Sequence, residues 1–185
     1  ASLKQVFKQK TTSNGLVGTY TASFSTTIKG DFSSVIANDA SIGLRIGDFS
    51  FANTLGGLDD LTADTDGMTA KTSLKEDGGK TTITLWCFDL DKSENVKCGK
   101  ITFQWNARRL RIRYGLKGSG KAAAFRLSEP RFTKGDSDTV ITCSVTLGDK
   151  RYSDRRVDYQ RRGAFSSSSE LYSETAKAKA MVSGY

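Results

Sequence analysis

The chain has 185 residues, with 28 Lys and Arg against 20 Asp and Glu, 18 glycines, one proline and no histidine. The missing histidine excludes hydrolases that rely on an imidazole base and metal centres that rely on imidazole ligands. The net charge of +8 is unevenly spread: residues 1–100 hold eleven basic and twelve acidic groups, a net of −1, while 101–185 hold seventeen basic and eight acidic, a net of +9, a polarity that suits an acidic partner or another copy of the chain.

The length fits one domain with a real core. Abundant Gly, Ser and Thr, alternating apolar and polar positions and no long amphipathic helix predict an all-β fold. The expected form is an antiparallel β-sandwich, jelly-roll or Ig-like, with extended N- and C-terminal segments. No stretch approaches the roughly 18 apolar residues of a membrane-spanning helix. The expected division is an N-terminal arm over 1–14, a sandwich domain over 15–163, and a Ser-rich linker and tail over 164–185.

In the arm, Leu3, Gln5 and Phe7 alternate with Lys4, Val6 and Lys8, which fits either a frayed arm or an extended segment, a candidate donor strand for an open sheet edge. From Val17 the alternation of Tyr20, Ala22, Phe24, Thr26 and Ile28 with polar neighbours predicts a half-buried strand. Phe32, Val35 and Ile36 have near-helical spacing behind Asp31, a residue able to cap a turn. Ile42, Leu44 and Ile46 predict a short strand, and Phe49 and Phe51 the next. Residues 55–66 read as a Gly/Asp loop whose Asp59, Asp60, Asp64 and Asp66 form a candidate Ca2+ site. The run Asp64-Thr65-Asp66-Gly67 echoes a calcium loop but departs from the EF-hand pattern, which would put Thr62 and Ser73 at its first and last ligand positions. Met68, Ala70, Thr72 and Leu74 predict a strand that turns into the centre of the chain.

That centre, residues 81–116, reads as three consecutive antiparallel strands. A turn centred between Lys92 and Ser93 sets Cys87 directly opposite Cys98, at a separation a disulfide spans, so a Cys87–Cys98 bridge is expected and Cys143 is left as a buried thiol. Ile83, Leu85 and Cys87 on one side and Thr84, Trp86 and Phe88 on the other predict a strand covered on both faces. Trp86 and Trp105 are the best sugar-stacking groups, but their place in the strongest strands predicts core positions for both. In the third strand Leu110, Ile112, Tyr114 and Leu116 alternate with Arg109, Arg111 and Arg113, giving a buried face and a basic face. Single-stranded nucleic acid needs aromatics on the charged face. Tyr114 belongs to the opposite one, which argues against a nucleic-acid partner.

Farther on, 117–121 reads as a turn, Ala123, Phe125 and Leu127 as one strand, and Ile141, Cys143, Val145 and Leu147 as another that returns through Gly148-Asp149. The serines at 166–169 read as a linker. In the tail, Ala176, Ala178 and Ala180 alternate with Lys177 and Lys179 as a strand would, though these are equally good helix formers, and with Val182 they make a second candidate assembly segment beside Leu3 and Phe7. A carboxylate-pair glycosidase would have to draw on Glu76, Glu94, Glu129, Glu170 or Glu174, of which the first two fall in turns, so no enzymatic activity is expected.

The segments FSTTIKGDF, IGDFSFANTLGG and SVTLGDKRYS resemble the strand and turn phrasing of secreted bacterial all-β surface proteins. That resemblance implies an extracellular structural or adhesive role and supplies no functional residues. A chain beginning at Ala1 with three cysteines also fits a secreted, cell-surface protein. The expected function is a non-enzymatic subunit of a surface layer or filament, built by head-to-tail contacts and terminal strand donation into a homo-polymer. A carbohydrate-binding adhesive module that recognises cell-surface glycans is the alternative, and a jelly-roll capsid-type protein with Lys4, Lys8 and Lys10 on a basic arm is the third reading.

Overall fold

The computed structural model describes residues 2–12, 15–46, 49–74, 79–89, 96–119, 143–154, 158–166, 171–179 and 183–184, with side chains within 23–46, 49–74, 79–88, 97–116 and 143–153. Its strands are β1 (Ser2–Thr12), β2 (Gly15–Lys29), β3 (Ser41–Ile46), β4 (Phe49–Thr54), β5 (Met68–Ser73), β6 (Thr81–Asp89) and β7 (Val96–Trp105). They continue with β8 (Arg109–Ser119), β9 (Cys143–Leu147), β10 (Lys150–Asp154), β11 (Asp158–Ser166), β12 (Leu171–Lys179) and β13 (Ser183–Gly184). The only helical pieces among the described residues are a 3-10 turn at Gly56–Leu58 and one α-helical turn, α1, at Ala63–Asp66. No helix among these residues is long and apolar enough to cross a membrane.

Two antiparallel sheets result, one of eight strands in the order β11-β12-β1-β2-β8-β7-β6-β5 and one of five in the order β13-β10-β9-β3-β4. The all-β expectation is met. Two antiparallel sheets over one apolar cluster are consistent with the expected sandwich.

Strand periodicity builds the core. Phe24 and Ile28 of β2, Ile83 and Leu85 of β6, Ile101, Phe103 and Trp105 of β7, and Leu110, Ile112, Tyr114 and Leu116 of β8 are all buried. With Ile42, Leu44, Ile46, Phe49, Phe51, Val145 and Leu147 of the five-stranded sheet they form one continuous apolar cluster. Aromatic pairs join the two sheets: Phe49 meets Tyr114 at 5.1 Å between ring centroids, and Phe51 meets Phe103 at 6.5 Å. Burying each such ring stabilises the fold by about 1.5–3 kcal/mol.

Asp31 caps one hydrogen-bonded turn, in which the Val35 amide donates to the Phe32 carbonyl at 3.1 Å, and no helix follows it. Asp31 Oδ1 accepts from the Ser33 amide at 2.9 Å and from its hydroxyl at 2.6 Å, which holds Asp31 below its ordinary pKa. Phe32 is buried beside Tyr152, and Trp105 donates its indole N–H to the Val35 carbonyl at 3.3 Å. The 31–40 segment is thereby pinned over one end of the core.

The terminal segments differ from a free arm and a free tail. β1 lies inside the eight-stranded sheet, paired with β2 on one side and with β12 on the other. Leu3 stands opposite both Phe24 and Ala178, Phe7 opposite Tyr20 and Glu174, and Ala176 opposite Gln5. The two candidate donor segments thus pair with each other within one chain. The serine run begins inside β11 at Ser166, and β13 joins the other sheet by pairing with β10. Ala180 and Val182, the strand expected at 123–127 and Glu129 lie outside the described residues.

Candidate binding face

The hairpin of β6 and β7 decides which side chains point outward. Thr81 pairs with Trp105 and each following residue in turn up to Cys87 with Gly99, but Phe88 then pairs with Lys97. Cys98 is the extra residue, a β-bulge. Its effect is a change of parity: Ile101, Phe103 and Trp105 face the core on odd numbers, yet Cys98 is buried and Lys97 exposed. The predicted direct opposition of Cys87 and Cys98 is therefore corrected, since Gly99 faces Cys87. The three cysteines are all buried and no disulfide links them. The Cys98 thiol donates instead to the Cys87 carbonyl at 3.5 Å. Burial, reinforced by the neighbouring Cys98, pushes the Cys87 thiol up to about 12, which removes it as a nucleophile at neutral pH. Gly99 is required here, because a Cβ would sit 2.9 Å from the Gly115 carbonyl and 3.0 Å from a Leu116 methyl.

The four aspartates of the candidate Ca2+ site do not converge. Among the described residues no three acidic or cysteine side chains gather at metal-binding spacing. Asp66 is committed to its own turn, accepting from the Thr62 amide and the Thr65 hydroxyl, both at 2.9 Å. Those bonds, the backbone one first, lower its pKa. Thr62 caps α1 by accepting from the Thr65 amide, and Gly67 closes it in the left-handed conformation at φ 63°, a conformation glycine adopts without Cβ strain. The loop spacing that looked like calcium chemistry is helix-capping chemistry.

The outer face of the eight-stranded sheet is where charge collects. Arg109 and Arg113 are exposed and Arg111 is half-buried, all on the side away from Leu110, Ile112 and Tyr114, as the alternation predicts. The ladder surrounds them with neutral polar groups: Arg113 stands between Thr102 and Ser25, and Arg111 between Gln104 and Thr27. Exposed Lys100 and Lys97 of β7, Lys71 of β5 and Lys29 of β2 extend the same side. Among the described side chains of this face there are seven cations and no carboxylate. Register carries the rows on into the terminal strands, where Lys4 stands opposite both Ser23 and Lys177, and Lys179 opposite Asp158.

Trp86 belongs to this face. The expected core position holds for Trp105, which is 1% exposed, but Trp86 is half-buried on the outer side with Lys97 Nζ 4.7 Å from its ring centroid. Thr82, Thr84 and Phe88 are half-buried in the same way, so β6 is covered fully on one face only. The sequence signal that separates the tryptophans is their neighbours. Trp105 continues the apolar odd series of β7, whereas Trp86 shares its face with Thr82 and Thr84.

Comparison with protein families, curated proteins and solved structures finds no match for this chain.

Proposed function

We propose that the chain is a non-enzymatic extracellular structural module that works by adhesion, holding an anionic partner on the outer face of its eight-stranded sheet. The observation that supports this reading is the seven-cation face without a described carboxylate, its cations carried by four of five neighbouring strands. Two features make it more than an ordinary solvated surface. Lys29 stands directly opposite Arg109, an arrangement of like charges that costs stability in a sheet. Among the described side chains of this face the cations are also interleaved with Thr, Ser and Gln rather than with acids that would neutralise them. Beads of polyglutamate should retain the protein in a salt-dependent manner while polylysine beads do not. An Arg111→Thr/Arg113→Thr variant should elute earlier. Equal retention of wild type and variant would end the assignment to this face.

Self-assembly into a layer or filament is the second reading. Its support is the exposed Asp39, Asp59, Asp60, Asp64 and Asp66, which offer the basic face of a neighbouring copy a complementary surface. Strand donation within such an assembly would require β1 to leave β2 and β12 and enter the neighbour's sheet, a swap rather than the addition of a free arm. Deleting residues 1–12 is accordingly expected to destabilise the monomer by unseating β12, not to leave it intact. Light scattering at low and high salt tests the reading: a monomer at every salt concentration removes it.

A further inference from the structure

We propose that the partner held by the outer face is an acidic polysaccharide, a chain of sugars bearing carboxylate or sulfate groups. The proposal rests on the adhesive reading above and names its ligand class.

Spacing and chemistry argue together. Neighbouring strands lie about 4.8 Å apart and alternate residues along one strand about 6.8 Å apart, so Arg109, Arg111 and Arg113 form a line of cations at near-regular intervals. Lys100 pairs with Gly115, one step along from Arg113, and Lys71 ends the cross-strand row Lys71, Thr84, Thr102, Arg113, Ser25. Guanidinium groups bind carboxylate or sulfate through paired N–H donors. The hydroxyl and amide side chains between them suit the uncharged hydroxyls of a sugar chain. Such a ligand would also relieve the apposed Lys29 and Arg109.

The same face argues against two other polyanions. A single-stranded nucleic acid gains much of its affinity by stacking bases on aromatic side chains. The described aromatics on this face are Trp86 and Phe88, both on β6, and the Trp86 ring already carries Lys97. Docking on an anionic membrane is strengthened by apolar side chains that enter the headgroup region, yet the large exposed hydrophobics among the described residues are Ile36, in the 31–40 bend, and Leu74, just past β5.

The test is a solution titration of the intact chain with heparin, polygalacturonate, dextran, a thymidine oligomer and phosphatidylglycerol vesicles, at about 50 and about 200 mM salt, a range over which multi-contact ionic binding weakens sharply. Saturable binding of at least one acidic polysaccharide is expected, weaker at the higher salt and absent with dextran. The Arg109→Ser/Arg111→Thr/Arg113→Thr variant should bind it at least about tenfold more weakly, the summed effect of three ionic contacts. Circular dichroism checks that the variant is folded, and Lys71→Thr/Lys100→Thr, on two other strands, gives an independent reading with a smaller loss. Tighter binding of the oligomer or the vesicles than of either acidic polysaccharide would overturn the ligand class while leaving the adhesive face in place. Undiminished polysaccharide binding by both folded variants would overturn the face itself.

Discussion

The two faces of the eight-stranded sheet share one backbone and differ in everything else. On the inner face of β6 to β8, Ile83, Leu85, Ile101, Phe103, Leu110 and Ile112 are completely excluded from solvent. On the outer face the same three strands carry Thr84, Lys100, Thr102, Gln104, Arg111 and Arg113, none of which is fully buried. Folding is driven almost wholly from the inner side, since buried apolar area is the dominant favourable contribution. The outer side is thus free to hold like charges together, at a cost the core can absorb.

If that division is right, substitutions on the inner face should change stability and leave binding alone, and those on the outer face should do the reverse. The largest effect is expected from Phe103→Ala. It removes a fully buried ring that meets Phe51 across the two sheets, at about 3–5 kcal/mol by chemical denaturation. A loss below about 1 kcal/mol would mean the sheets are not packed through this seam.

Alkaline pH sharpens the same contrast. Cys87 keeps its proton in the folded state up to about 12 against an ordinary value of 9.0. The unfolded chain therefore releases a proton that the folded chain retains, so this contribution is intact below pH 9.0 and is lost as pH rises toward about 12. The stability difference between wild type and Cys87→Val should narrow or reverse across that window, by an amount on the order of 4 kcal/mol. Parallel pH profiles of the two proteins would contradict it.

Gly99→Ala tests the bulge that sets the two faces in phase. The added methyl meets a backbone carbonyl that has no side-chain freedom to yield, and a loss of about 1–3 kcal/mol is expected by thermal or urea unfolding. The smallest effect belongs to the exposed turn at α1. Asp66 has a lowered pKa, so its stabilising bonds are present above the ordinary carboxylate value of 3.8 and disappear as pH falls through the folded value. Asp66→Asn should melt slightly earlier than wild type near neutral pH and no differently in strong acid, which a pair of thermal melts would measure.

Strand alternation alone determined much of this protein. In β8 it separated Leu110, Ile112 and Tyr114 from Arg109, Arg111 and Arg113, and in β2 it marked Phe24, Thr26 and Ile28 as the inner side, because a pleated strand sends successive side chains to opposite faces whatever it pairs with. Tertiary structure decided what periodicity leaves open. For β6, apolar groups at both parities predicted cover on both faces. Only the pairing with β7 turned Ile83 and Leu85 inward and left Trp86 outside beneath Lys97. The bulge at Cys98 was hidden because hairpin register is counted from the turn, and one inserted residue reverses the parity of everything beyond it. Asp66 looked like a metal ligand in a spacing pattern, while the hydrogen bonds of a single helical turn claimed its carboxylate. The pairing of β1 with β12 joins residues at opposite ends of the chain, and no local pattern encodes which distant edge a strand will meet.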